Sequence, residues 1–404
     1  MGVSRREFLV ALGAATVSGG AAWALRGSPR DCATPPPVSA RAPGPADSHV
    51  QLLASAAATG MAVVTDEKYA GGADPSWQSD STDAFRAAAA TTLPVYVPPG
   101  AYRFAGPGID VEAPTFIGAG QGFTTISLRD SSYFIESNRR WKSLTVSGIR
   151  FDGGLGHIRN TYTGANVNDQ FTVTDCVFNS YKRTSIGHHS SDHPYWKIER
   201  NIFRSDGYRS TTGISLSGLT DGTSIRDNAF HANRVHVALA QGGNNVYFEN
   251  NDFLRFGPTQ GHPRVDIWMK PAATGVNSGQ GLTVRSCKFG NENVAPTDLR
   301  IVYADDTDGF PYLTGISTGW IGGHTIADIL VNGIGDEHRI PVIRSTTSNI
   351  VGGRYGPITI AGSTGIPIIS TIDPLSRPKS NIVGPQLRAN ASTAAMPAMV
   401  VSDR

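Results

Sequence analysis

Glu199-Arg200-Asn201-Ile202-Phe203, Arg226-Asp227-Asn228-Ala229-Phe230 and Glu249-Asn250-Asn251-Asp252-Phe253 are three copies of one pattern. Three further segments align with them on the Phe: Ser147-Gly148-Ile149-Arg150-Phe151, Thr174-Asp175-Cys176-Val177-Phe178 and Arg285-Ser286-Cys287-Lys288-Phe289. The Phe residues are spaced 27, 25, 27, 23 and 36 residues apart. Five positions before each Phe stands an apolar residue: Val146, Val173, Ile198, Ile225, Phe248 or Val284. Two positions before it stands Ile149, Cys176, Asn201, Asn228, Asn251 or Cys287.

A unit of some 25 residues made of short strands and turns is one coil of a parallel β-helix, in which coils stack at ~4.8 Å. Equivalent side chains then form ladders along the axis. The three Asn are expected to pass amide hydrogen bonds from coil to coil. Four positions before the Phe, Glu199, Arg226, Glu249 and Arg285 alternate in sign, which fixes register on the outer face. Cys176 and Cys287 end the Asn column. Four coils separate them, ~19 Å, so both are expected buried and reduced rather than bridged. No helical period runs through these coils, which excludes a helical solenoid.

Composition agrees. The chain has 404 residues, 46 Gly and 25 Pro, and only 17% charged residues, too few for long surface helices. The formal net charge of +2 argues against an electrostatic nucleic-acid binder. Three Cys are too few for a disulfide scaffold.

Ser4-Arg5-Arg6-Glu7-Phe8-Leu9, followed by an uncharged, Gly- and Ala-rich stretch, resembles a twin-arginine (Tat) export signal. The stretch is too polar for a comfortable bilayer span. The expected organisation is a signal peptide at 1–26, a Pro-rich linker at 27–47, a β-helix domain at 48–388 and a tail at 389–404. The expected location is secreted or periplasmic, with the Tat machinery as transport partner and no permanent membrane span. A monomer is expected.

Asp80-Ser81-Thr82-Asp83-Ala84-Phe85-Arg86 predicts a short helix that closes the first coil. It leads into Val95-Tyr96-Val97-Pro98-Pro99-Gly100-Ala101-Tyr102, a strand, a Pro-Gly turn and a second strand. With the glycine-rich Ile117-Gly118-Ala119-Gly120-Gln121-Gly122, these segments resemble the pectate-lyase-like (pectin lyase fold) superfamily over roughly Val63 to Gly290. The resemblance implies an all-β, right-handed parallel β-helix. Its members include polysaccharide lyases, glycoside hydrolases, epimerases and non-enzymatic proteins, so it implies a carbohydrate ligand without fixing the chemistry. Gly118–Gly122 is no dinucleotide loop, because Thr124 to Leu128 continues as a strand.

The next strand of each coil is expected within Thr184–His189, Thr212–Ser217, Val235–Ala240, Val265–Lys270 and Leu299–Ala304. Aligning Ile186, Ile214, Val237, Ile267 and Ile301 as inward predicts three outward columns. They are Ser185, Gly213, His236, Asp266, Arg300; then Gly187, Ser215, Ala238, Trp268, Val302; then His189, Ser217, Ala240, Lys270, Ala304. His188 is expected to point inward. The outer face so predicted gathers Lys270, His236, Asp266 and His189 as catalytic candidates. Trp268, Arg234, Arg264 and Arg300 are substrate-binding candidates.

β-Elimination of a uronate polymer needs a cation on the carboxylate, a base for the adjacent proton and an acid for the leaving oxygen. Lys270, His236, His189, Arg234 and Arg264 supply that set. Hydrolysis needs two carboxyl groups, and Asp266 is the one carboxylate in the columns; Asp305, Asp306 or Asp192 would have to supply the second. A non-catalytic polysaccharide-binding protein on the same scaffold is the third reading. The His188–His193 cluster matches no standard zinc spacing, and no acidic cluster suggests calcium, so no metal or cofactor is expected.

Overall fold

The computed structural model describes residues 60–164, 169–188, 195–205, 211–217, 220–240, 243–244, 246–255, 264–270, 283–291, 299–303, 320–327, 329–331, 343–345, 349–355, 358–361, 369–371, 387–390 and 402–403, with backbone alone from residue 290 onward. The expected signal and linker, with Cys32, lie outside the described residues.

The chain forms a parallel β-helix. Each coil contributes one strand to each of three parallel sheets of 11, 12 and 10 strands, called here the first, second and third in the order a coil visits them. One such coil runs Gln170–Thr174, Val177–Asn179, Thr184–His188 before returning to the first sheet at Tyr195–Glu199.

The Phe ladder is the spine of the interior. Phe151, Phe178, Phe203, Phe230, Phe253 and Phe289 pair in register along the second sheet. From Phe151 onward the rings stack face to face, with centroids 4.9 to 5.4 Å apart. Offset stacking at this distance adds to burial of the ring area. Val146, Val173, Ile198, Ile225, Phe248 and Val284 form the facing ladder on the first sheet.

The turn between these sheets is fixed by a left-handed residue in every coil: Gly148, Asp175, Arg200, Asp227, Asn250 and Ser286 have φ between 52° and 68°. That conformation turns the next side chain into the coil, where the Asn column lies. Asn201 Nδ2 donates to Asn228 Oδ1, and Asn228 Nδ2 to Asn251 Oδ1, each at 3.1 Å. Each Asn also donates to a carbonyl of the first sheet. Cys176 N donates to Asn201 Oδ1 at one end, and Asn251 Nδ2 contacts Cys287 Sγ at 3.8 Å at the other. Both cysteines are buried and free. Burial raises their thiol pKa values, to about 12 for Cys176 and about 11 for Cys287.

On the outer face Glu199, Arg226, Glu249 and Arg285 stand in register, and Arg226 Nε lies 3.3 Å from Glu249 Oε2.

The capping helix spans Thr82–Ala89 and buries Thr82, Ala84, Phe85, Ala88 and Ala89. Phe85 packs edge-on against Tyr102, Phe104 and Phe134, closing the first coil. Its N-terminus is not held by the Ser81 side chain. Asp80 Oδ1 accepts instead from Thr82 N and Thr82 Oγ1. Gly100 is required where the Pro-Gly turn passes the preceding coil, since a Cβ there would lie 2.5 Å from Pro75 Cβ.

The third sheet contains the expected strands in order: Thr184–His188, Thr212–Ser217, Val235–Ala240, Arg264–Lys270 and Leu299–Tyr303. Ile186, Ile214, Val237 and Ile267 align as predicted. The last strand is displaced by one residue: Ile267 pairs with Val302, not Ile301, so Arg300 pairs with Val265 and Tyr303 with Trp268. Near the C-terminal end Asn349–Tyr355 pairs with Trp320–Ala327 and Leu387–Asn390 with Ile358–Ala361.

Candidate functional site

The alternation that predicts an outward column at Ser185, Gly213, His236 and Asp266 breaks at that position. The ladder pairs Thr184 with Thr212 and Ile186 with Ile214, then Val235 with Val265 and Val237 with Ile267, and skips the residue between. There two successive side chains enter the interior. Ser185, His236 and Asp266 are at most 1% exposed. A Cβ on Gly213 would lie 3.3 Å from the Phe230 ring, so this position also faces the core. Strict period-two reading fails where a strand bends out of its sheet, and that bend moves His236 and Asp266 from the outer face to the inside.

The His236 ring sits 5.7 and 5.8 Å from Phe230 and Phe253, beside the aromatic stack. Its Nδ1 lies 3.2 Å from Asn233 Nδ2, and its Nε2 lies 3.6 Å from Asp266 Oδ1. An amide nitrogen only donates, so Nδ1 accepts and Nε2 carries the proton toward the carboxylate. Asn233 Oδ1 accepts from the Tyr181 hydroxyl, and Asn233 Nδ2 also reaches the Phe203 and His231 carbonyls. Tyr181, Asn233, His236 and Asp266 thus form one polar chain through the interior. Desolvation raises the Tyr181 hydroxyl well above its ordinary pKa, which keeps it a donor.

His157 belongs to the same corner. Its Nδ1 lies 3.0 Å from Ser185 Oγ, and its ring packs on Phe151, Phe178 and Tyr181. Burial depresses its pKa to about 3, with Asp152 opposing weakly.

Sequence reading missed Tyr181, Asn233 and His157, although a signal existed. Tyr181 and Asn233 each stand three residues after a ladder Phe, and His157 and His236 each six after one. Equal offsets from the Phe imply one corner of the coil.

Trp268 is 4% exposed and clusters with Val235, Ala238 and Val265, apart from the main core. Trp268, expected in an outward column, is therefore part of a covered apolar patch. Arg234 is half-buried, and its backbone N–H donates to Thr211 Oγ1 at 3.3 Å. Lys270 pairs through its backbone with Ala240, and Arg264 with Leu299. The side chains of Lys270, Arg264 and Arg300 lie outside the described residues, as do His189, Asp192, Asp305 and Asp306. His188 is inside as predicted, packed on Trp141, Phe171 and Trp196. Among the described residues no group of three or more His, Cys, Asp or Glu converges on a point where a metal could bind. No described helix is long and apolar enough to cross a membrane.

No protein-family model matches the chain, and no curated protein matches it by sequence. Solved structures share its fold. The Agl-KA catalytic domain superposes with a TM-score of 0.52 at 15% identity, covering 77% of this chain and 55% of that one. The mannuronan C-5 epimerase AlgE4 A-module of Azotobacter vinelandii gives a TM-score of 0.46 at 15% identity, covering 84% and 99%. PfbA, a surface adhesin of Streptococcus pneumoniae, gives 0.46 at 14% identity, covering 81% and 89%. The chain spans about half the length of the Agl-KA domain, and at such identities the likeness concerns the fold alone.

Proposed function

We propose that this chain is an exported polysaccharide-active protein that cleaves a uronate-containing polymer by β-elimination on the third sheet. The observation that supports this reading is strand register. Trp268 and Lys270 alternate along one strand whose neighbours in register are Ala238 and Ala240. Arg234 and Arg264 immediately precede the paired Val235 and Val265. Two cations at one end of a strand pair and a Lys at the other, beside small residues, suit a polymer that carries one carboxylate per sugar.

In this reading Arg264 or Arg234 binds the substrate carboxylate, which acidifies the adjacent C–H. Neutral Lys270 removes that proton, a C=C bond forms as the glycosidic C–O bond breaks, and the leaving oxygen takes a proton from the Lys270 ammonium or from water. His236 and Asp266 lie beneath the strand and act as positioning residues that fix its bend. A general base contributes roughly 10²–10⁴-fold. Lys270→Ala is therefore expected to lose at least 100-fold in formation of unsaturated product, at roughly unchanged melting temperature.

Burial of His236 and Asp266 favours one alternative, a binding protein without catalysis, since the two groups best suited to acid–base work are inside the coil. A panel of polysaccharides monitored separately for unsaturated product, reducing ends and binding distinguishes the readings. Reducing ends without unsaturated product mean hydrolysis; binding without either means the alternative. Export by the twin-arginine route belongs to the same proposal. Changing Arg5 and Arg6 to Lys is expected to block translocation, and normal export of that variant would refute it.

A further inference from the structure

We infer that the outer face of the first sheet carries a second glycan site, a shallow trough built by Tyr195, Lys197 and Tyr247 that takes a uronate-containing polysaccharide. The inference rests on the acidic-polysaccharide reading above but uses a different sheet and different residues.

Strand Tyr195–Glu199 alternates strictly: Trp196 and Ile198 are buried, while Tyr195 and Lys197 are exposed. In register with Lys197 stand Ser224 on the next coil and Tyr247 on the one after. Tyr195 is 39% and Tyr247 38% exposed, two of the five large apolar side chains so exposed among the described residues. Between them the side chains are small. Gly222 carries no side chain and Ser224 a small one. A Cβ on Gly222 would lie 2.8 Å from Tyr195 Cδ1, so the Tyr195 ring already extends over that coil. Gly222 has φ 65°, a conformation suited to glycine. The Tyr195 ring thus lies over Gly222, and Ser224 is the small residue between Lys197 and Tyr247, whose backbone positions are two coils, ~10 Å, apart along the axis.

Charge selects the ligand. In the neighbouring column Arg226 is engaged by Glu249, and Arg200 by Asp175 and Glu199. Lys197 has no ion pair among the described residues, and its own column is otherwise Thr145, Thr172, Ser224, Tyr247 and Thr283, all neutral. A cation with no ion pair among the described residues, two positions from Tyr195 on its strand and in register with Tyr247 two coils on, fits a pyranose chain bearing carboxylates. Ring faces stack on the C–H faces of the sugars, the phenol hydroxyls bond to theirs, and Lys197 meets a carboxylate.

The test is titration calorimetry of the full chain with oligogalacturonate, oligoalginate and a neutral dextrin, alongside the unsaturated-product assay. Tyr195→Ala and Tyr247→Ala are each expected to weaken uronate binding about fivefold or more. Lys197→Gln should do so at low salt and flatten the salt dependence, with little effect on dextrin. All three side chains are exposed, so thermal unfolding should be unchanged. If the wild type binds or cleaves a uronan and the triple variant Tyr195→Ala, Lys197→Gln, Tyr247→Ala binds it equally, the trough is refuted while the proposed function stands. If binding is lost in the triple variant but no polymer is ever cleaved, the trough stands and the lyase reading fails. Absence of any uronate binding by the wild type refutes both.

Discussion

Asn228 shows how one residue serves three coils. Its carbonyl oxygen accepts from both Asn201 N and Asn201 Nδ2, while its amide nitrogen donates to Ile198 O and Asn251 Oδ1. Leu at this position is of similar size, yet it orphans donors and acceptors above and below in a dry interior. Leaving a buried polar group unpaired costs about 1–3 kcal/mol, so Asn228→Leu is expected to lower stability by about 3 kcal/mol in denaturant titration. Trp77 presents the opposite case. It is 52% exposed, with φ 66°, where the first strand of the second sheet slips register between Ser76 and Asp80. Asp74 holds this excursion by accepting from Ser76 and Ser79. A non-glycine residue here costs ~1–2 kcal/mol, partly offset by the unfolded-state entropy of glycine. Trp77→Gly is therefore expected to raise the unfolding free energy by about 0.5–1 kcal/mol, and a loss of stability would mean that the indole packs productively.

At the scale of the element, the bend of the third sheet gathers ionisable groups into the core, and His157 makes that bend acid-sensitive. Its folded pKa, about 3, lies below the ordinary value of 6.5. Above pH 6.5 neither state is protonated and His157 contributes no pH dependence. As pH falls from 6.5 towards 3 the unfolded chain gains a proton that the folded chain refuses, so stability declines across that window. The full decline is about 5 kcal/mol for this one group. Urea unfolding at pH 7 and pH 4.5 measures its upper part, and His157→Phe should flatten that part of the profile. An unchanged slope in the variant would show that other groups govern the acid limb.

Across the whole molecule, coils contact only their neighbours, so stability is close to a sum over coils and interfaces. Deleting Ile202–Asn228, one full period of 27 residues from one Asn turn to the next, joins Asn201 to Ala229 and restores the Asn-Ala-Phe pattern. This deletion is expected to fold, with a lowered melting temperature and an unchanged β-type circular dichroism spectrum. Removing half as many residues should abolish folding, because it exchanges strands for turns throughout the following coils. The sequence by itself determined the coil, since the Phe, Asn and charge ladders require identical positions to recur each turn, and a repeat is visible without any contact map. It also determined which strands share the third sheet, because each is the alternating apolar strand that follows a ladder Phe before the next coil begins, although 7 to 14 residues separate the Phe from the aligned inward residue. Only the tertiary structure decided which way the residues at the bend point. Alternation along a strand holds while the backbone stays in one sheet, and a bend, whose position depends on packing against the Phe stack, places consecutive residues on the same side. That is why His236 and Asp266 lie inside rather than outside.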